Sequence, residues 1–273
     1  MPPDTATRKL PGVLGLPNDD TRKIIAVALI LSLVCSIMVS SAAVLLKPLQ
    51  ERNKALAVKR EIVKVSGLMT AGANVEQLFA QIETHVVNLD TGQYAEAVDP
   101  STFDPVAAAR DPATSVALPT TEDIARLKRR ANYARVYLVR DGDQIRTVIL
   151  PVHGAGLWGP LYGFLALAGD GKTITGLTFY QDNETPGLGN KIEDPDWQAQ
   201  FVGKLAYGAQ GKPRIGLVKG GVNAASPDAV YQVDGIAGAT LTSNGVTHLL
   251  QFWLGQQGFG PYLKALRSSG DPV

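Results

Sequence analysis

Residues 233–246 read Val233-Asp234-Gly235-Ile236-Ala237-Gly238-Ala239-Thr240-Leu241-Thr242-Ser243-Asn244-Gly245-Val246, and the fold turns on how they are read. A short apolar run, Ala229 to Val233, predicts a strand leading in. On the far side Val246, Leu249, Leu250, Trp253 and Leu254 recur at helical spacing. The stretch is therefore a strand-to-helix turn. Gly235 and Gly238 permit backbone angles closed to other residues and let a ligand come close, while Thr242, Ser243 or Asn244 can cap the helix. Amides left unpaired at that helix start suit an anion, most naturally a phosphate. A glycine-rich turn with a Ser, Thr or Asn cap needs no ligand, however. By itself the stretch marks a candidate site.

Upstream, Ala134 to Val139 and Ile145 to Val152 flank Asp141-Gly142-Asp143, which predicts a hairpin. The pattern returns around Gly169-Asp170-Gly171-Lys172, between Leu161 to Ala168 and Thr173 to Tyr180. Gly171-Lys172-Thr173 imitates the end of a phosphate-binding loop, but Ala166 stands where that loop needs its first glycine. Between the hairpins lies a glycine-rich loop, His153 to Pro160, whose lone histidine and tryptophan suit packing. After the second hairpin, Tyr180 to Asn190 is a polar turn with one Pro and two Gly, and it matches no dinucleotide fingerprint. Asp194-Pro195 predicts the N-cap and first position of a helix through Trp197, Phe201 and Leu205. Arg214 to Val218 predicts a strand, followed by the turn Lys219-Gly220-Gly221. An aromatic, glycine-punctuated tail, Phe252 to Leu263, closes the pattern.

The N-terminal part divides by composition. Residues 1–23 are polar and Pro-rich, a loose tail. Ile24 to Leu46 holds no charged residue, and about 23 residues at helical rise cover the roughly 30 Å hydrocarbon core of a bilayer. A signal peptide would have an apolar region of about 7–15 residues, so residues 24–46 predict a single transmembrane helix. Residues 47–66 are charged and helix-compatible, a stalk, and residues 67–273 form one α+β domain. Val75, Leu78, Phe79, Ile82 and Val86 make an amphipathic helical stripe, whereas residues 90–120 are irregular. Six basic residues between Lys47 and Lys64 follow the apolar run, so charge alone leaves the domain cytoplasmic or undecided.

The chain has 273 residues, 45% of them hydrophobic, enough for one substantial core and an extra segment. A net charge of +1 gives no nucleic-acid footprint. One cysteine, Cys35, permits no internal disulfide and lies in the apolar helix, and three scattered histidines give no zinc spacing, so no metal ligands are assigned. There is neither a cysteine cluster for iron–sulfur binding nor a Gly-x-Gly-x-x-Gly with its acid for NADH.

Asp234-Gly-x-x-Gly238-Ala239-Thr240 resembles the flavinylation motif of FMN-binding domains in respiratory ion pumps. The resemblance implies FMN held covalently through a phosphoester on Thr240, with Gly238, Ala239 and Thr242 beside it, and a dedicated flavin transferase that uses FAD. Many members have Ser or Thr where Ala237 stands here; the acceptor hydroxyl is kept. Glu184-Thr185-Pro186-Gly187-Leu188-Gly189 resembles the second signature, which implies that Thr185, Gly187 and Leu188 line the isoalloxazine and that Glu184 hydrogen-bonds near it. Gly154-x-Gly156-Leu157-Trp158-Gly159 and the aromatic tail are similar to the NqrC family, the C subunit of the Na+-translocating NADH:quinone reductase. That family implies an electron-transfer subunit in the bacterial inner membrane, with its FMN domain on the periplasmic side and other subunits of the complex as partners. The alternatives are the related FMN subunit of an Rnf-type ferredoxin:NAD oxidoreductase and a membrane-anchored module that binds flavin non-covalently. A threonine hydrolase would need a base near Thr240, and His248 is about two helical turns away.

Overall fold

The computed structural model describes residues 12–70 and 72–269. Residues 1–11 of the expected tail lie outside these, and the chain divides into two compact units, Met1–Ala55 and Leu56–Val273. In the first, a short 3-10 turn at Gly12–Gly15 precedes α1, Thr21–Val65. Asp20 starts the helix by accepting the Arg22 N–H at 2.8 Å. The apolar side chains of α1 between residues 24 and 46 face outward, with Leu29 66% and Leu45 76% exposed. By length and composition this helix can cross a membrane. It continues through Pro48 without a break.

The boundary at Leu56 falls inside the segment expected to be a stalk. The last turns of α1 bury Ile62, Val63 and Val65 in the second unit's core. Next come α2 (Val75–Phe79), β1 (Glu83–Asn88), α3 (Pro105–Arg110), β2 (Ser115–Ala117) and β3 (Arg129–Ala131). The helical stripe from Val75 to Val86 is thus realised for one turn only. Ile82 and Val86 leave it because Glu83–Asn88 pairs antiparallel along β4, and Thr84, Val86 and Val87 are β-branched. The expected irregular connection holds α3, capped by Asp104 with Pro105 at the first position, and β2 paired with β3.

Both expected hairpins form. They comprise β4 (Tyr133–Asp141), β5 (Gln144–Ala155), β6 (Pro160–Ala168) and β7 (Ile174–Gln181), which complete a five-stranded antiparallel sheet ordered β1-β4-β5-β6-β7. β5 is longer than expected and takes in His153, Gly154 and Ala155, leaving only Gly156 to Gly159 as the turn. The near-continuous apolar runs have a physical cause: both faces of the sheet are covered. Val136, Leu138, Val148, Leu150 and Leu165 belong to the large core with the C-terminal helices, whereas Tyr137, Val139, Ile149 and Phe164 pack with Ile62, Val63 and Val65.

Beyond the sheet, α4 spans only Pro195–Ala199, with Asp194 as its cap. The expected helix through Leu205 stops there because Thr173 and Leu205 form a β-bridge and the Leu205 N–H bonds to Val230 O instead. β8 (Gly216–Val218) pairs parallel with β9 (Gln232–Asp234). The strand expected from Ala229 begins later, since Ser226 and Pro227 wind Pro227–Tyr231 into a 3-10 turn. α5 (Thr240–Leu254) and α6 (Gly260–Ser269) finish the chain. α5 buries Val246, Leu249, Leu250, Trp253 and Leu254, worth about 1.5–3 kcal/mol for each large side chain. Its backbone comes so close to β5 that a Cβ on Gly245 would lie 2.5 Å from the Ala155 carbonyl oxygen.

Candidate functional site

The strand-to-helix turn forms as expected, but its cap does not. α5 starts at Thr240, with Ala239 at the N-cap and no side-chain hydrogen bond there. Thr242 and Ser243 lie inside the first turn and are buried; Asn244 is exposed on the helix. The Ser243 hydroxyl donates to Ala239 O at 3.0 Å and accepts the Ile236 N–H at 3.0 Å, which ties the turn to the helix. The first amides of α5 therefore have neither an intrahelical acceptor nor a side-chain cap, and the positive end of the helix dipole is open. Thr240 is exposed at this end, and among the described residues none hydrogen-bonds to its hydroxyl. Gly238, at φ +79, takes the left-handed turn that brings the chain to it.

Glu184 connects the two glycine-rich loops to this helix. Its side chain is buried. Oε1 accepts the Leu157 N–H at 2.8 Å and the Trp158 N–H at 3.1 Å, and Oε2 accepts the Thr242 hydroxyl. Close packing accompanies these bonds: a Cβ on Gly156 or Gly189 would lie within 2.5 Å of a Glu184 carboxylate oxygen. Trp158 Nε1–H donates to Thr185 Oγ1 at 3.1 Å, and the Leu188 N–H donates to Thr185 O at 3.0 Å. The turn before Gly189–Glu193, a 3-10 helix absent from the sequence reading, is thereby fixed against Trp158.

Several side chains then surround the helix start with exposed apolar surface: Leu157, Trp158, Leu188 and Leu241. Leu188 Cδ2 would be 3.2 Å from a Cβ on Gly238. Thr185 and Gly187 are exposed in the same loop, and Ala239 is buried behind the turn. The fully buried Thr242 and the inward-turned Glu184 differ from their expected place at a cofactor. Both oxygens of Glu184 are engaged by protein donors, and the Thr242 hydroxyl is spent on one of them. These two residues position the site's walls. The sequence carries no sign of this, since a glutamate before Thr-Pro-Gly reads the same facing in or out. His248 is exposed on α5.

His153 lies where β5 meets α5. Its ring stacks on Tyr162 at 5.6 Å between centroids and contacts Trp253 at 4.8 Å; Trp253 Nε1–H donates to His153 O at 2.7 Å. Burial pushes the imidazole from 6.5 down to about 4, so it is neutral at pH 7. The unfolded chain takes up this proton near 6.5 and the folded chain near 4, so stability falls as pH drops between those values. His153→Phe keeps the ring contacts and removes the proton. Relative to it, the parent is expected to lose on the order of 3 kcal/mol between pH 7 and pH 4. Urea unfolding at both pH values measures this, and identical pH slopes in the two proteins would show that His153 is not the group.

Comparison with known proteins gives a consistent picture. The family described as FMN-binding domain matches residues 156–255, a span that holds both Glu184 and Thr240. The C subunit of the Na(+)-translocating NADH-quinone reductase from Pseudomonas aeruginosa is 49% identical over 254 residues, covering 92% of this chain and 97% of that protein. The protein of the same name from Yersinia pestis is 48% identical over 255 residues, covering 92% and 94%. Among solved structures, Shewanella oneidensis NqrC matches with a TM-score of 0.73 at 34% identity, over 80% of this chain and 100% of that one. The C subunit of the Na(+)-translocating NADH-quinone reductase from Parabacteroides distasonis matches with a TM-score of 0.61 at 30% identity, over 80% and 96%.

Proposed function

The chain belongs to the NqrC family, the C subunits of Na(+)-translocating NADH-quinone reductases, and from that premise we propose that it is a membrane-anchored electron-relay protein of such a complex, with FMN held on Thr240 through a phosphoester. The observation that carries this reading is the position of Thr240: exposed, first in α5, at a helix start whose amides have no cap. A phosphate on that hydroxyl lies against unpaired N–H groups and the positive end of the dipole. FMN, when bound, supplies single-electron transfer. The chain's own residues do the rest. Leu157, Trp158 and Leu188 give an apolar wall that excludes water from a flat ring and so tunes its potential. Glu184 holds that wall against α5.

Partners follow from what the chain lacks. Its one cysteine, Cys35, lies in α1, so electrons come from and go to other subunits of the complex. Among the described residues no base meets the Thr240 hydroxyl, which calls for a separate flavin transferase. In this reading α1 anchors the protein in the inner membrane with the FMN domain on the periplasmic side, and the length and composition of α1 support the anchor.

Intact-mass measurement of the denatured protein from its native host, followed by mapping of the Val233–Val246 peptide, tests this. The expected result is one added FMN, less water, on Thr240. Unmodified protein in a host that makes the transferase would favour a reversible flavin-binding module. A second expectation concerns Leu188, which is 44% exposed. Leu188→Gln should shift the flavin's midpoint potential while changing stability by no more than about 0.5 kcal/mol. An unchanged redox titration would remove Leu188 from the ring's surroundings.

A further inference from the structure

The sheet splits where β4 meets β5. These strands pair from Tyr137↔Ile149 to Asp141↔Gln144. Over their other halves β4 stays with β1, as far as Asn88↔Tyr133, and β5 stays with β6, as far as Ala155↔Pro160. A cavity of about 900 Å³ opens at the split, walled by Tyr133–Arg135 and by Pro151–Ala155.

Its charge is one-sided. Arg110, Arg126, Lys128, Arg129, Arg130 and Arg135 line it, and among the described residues no Asp or Glu does, in a chain whose net charge is only +1. Arg130 is 3% exposed; one nitrogen donates to Asp90 at 2.6 Å, while Nε and Nη1 have no partner. Arg135 Nε is likewise buried and unpartnered. A buried guanidinium with open donors is costly unless an acceptor meets it. The rim is strained as well. Arg126 and Lys128 sit at φ +57 and +66, held there by the Asp123 carboxylate, which accepts the Leu127 and Lys128 N–H groups at 2.7 Å each. The remaining wall is flat and apolar, with Tyr133, Tyr162, Tyr180 and Trp253.

We propose that this slot is a second ligand site, which takes an organic phosphate with a flat or apolar body. The open Nε and Nη1 of Arg130 and Nε of Arg135 can meet phosphate oxygens, and the six lining cations, one of them paired with Asp90, suit an anionic head. The tyrosines and Trp253 take the body. Thr240, Leu188 and Gly238 are not in its wall, although Leu157 and Trp158 border both places.

The test is calorimetric titration of the full detergent-solubilised chain, flavin-carrying and as Thr240→Ala, with 1-naphthyl phosphate as probe. Binding should be at least about tenfold tighter than for 1-naphthol or inorganic phosphate, and equal in the two proteins. Arg110→Ala with Arg126→Ala, both on the exposed rim, should weaken it about tenfold without lowering the melting temperature. Displacement by dihexanoylphosphatidylglycerol would identify a lipid head as the natural source, and displacement by adenosine monophosphate a soluble phosphate. Equal affinity for 1-naphthol, or an unaffected rim variant, would overturn the proposal. So would binding confined to Thr240→Ala, because the slot would then be the flavin's own.

Discussion

A Thr240→Ala chain from the native host will carry no covalent flavin, and its domain will unfold with the midpoint of the flavin-free parent. Loss of attachment is complete because the substitution removes the hydroxyl oxygen that would form the phosphoester. Stability is unaffected because the side chain is exposed and makes no hydrogen bond among the described residues; surface changes of this kind cost no more than about 0.5 kcal/mol. Alanine also suits the first turn of a helix. The control is Thr242→Ala, two residues on. That hydroxyl is fully buried on Glu184, so its loss should cost about 1–3 kcal/mol while leaving the acceptor in place. If the flavin disappears with Thr242→Ala and survives in Thr240→Ala, the acceptor has been assigned to the wrong threonine. In-gel flavin fluorescence after denaturation separates the two results.

Glu184→Ala should be the most destabilising single change at the site. It removes the acceptor of the Leu157 and Trp158 amides and of the Thr242 hydroxyl at once. Hydrogen bonds to a charged group are worth about 1.5–3 kcal/mol each, and the losses overlap, so a total of about 3–5 kcal/mol is expected. Glu184→Gln keeps the shape and one carbonyl acceptor and should lose about half as much. The consequence at the site is distinctive: freed from Glu184, the Leu157–Trp158 turn loses its registry with α5, and flavin loading should fall in Glu184→Ala. Denaturant unfolding with Trp fluorescence, together with the flavin-to-protein ratio, measures both effects. A variant within about 1 kcal/mol of the parent would show that the two loops are held by packing alone.

The elements that could be read from the chain share one property: their signal is local. Asp141-Gly142-Asp143 and Asp170-Gly171 turn the chain within a few residues, with Gly142 at φ +58 and Gly171 at φ +60, and the strands beside them follow. α5 repeats its apolar residues at helical spacing from Val246 to Leu254, about two turns, and residues 24–46 of α1 form one uncharged apolar run. What escaped the reading depends on distant partners. The Val75–Val86 stripe has helical spacing, yet β4, some fifty residues later, takes Glu83–Asn88 as a strand. Leu205 had a helical position and was claimed by Thr173. At the site, the position of Thr240 at a strand-to-helix turn was legible. The inward direction of Glu184, and the burial of Thr242 and Ser243 in the places expected for caps, were not.

Synthesis runs from the N-terminus, and this gives the two coverings of the sheet different histories. The residues that shield one face, Ile62, Val63 and Val65, leave the ribosome before any strand exists. The other face must wait for α5 and α6, and Phe259, Tyr262, Leu263 and Leu266 are all fully buried or nearly so. Until α6 is made, that side of the core is wet. Thr240 stands at the beginning of that late covering, so a modifying enzyme cannot meet it on a folded surface until α6 has been made. Under the proposed function, flavin attachment would then be a late step, on a domain that already has α6, and a nascent chain stalled before α6 would not qualify for it.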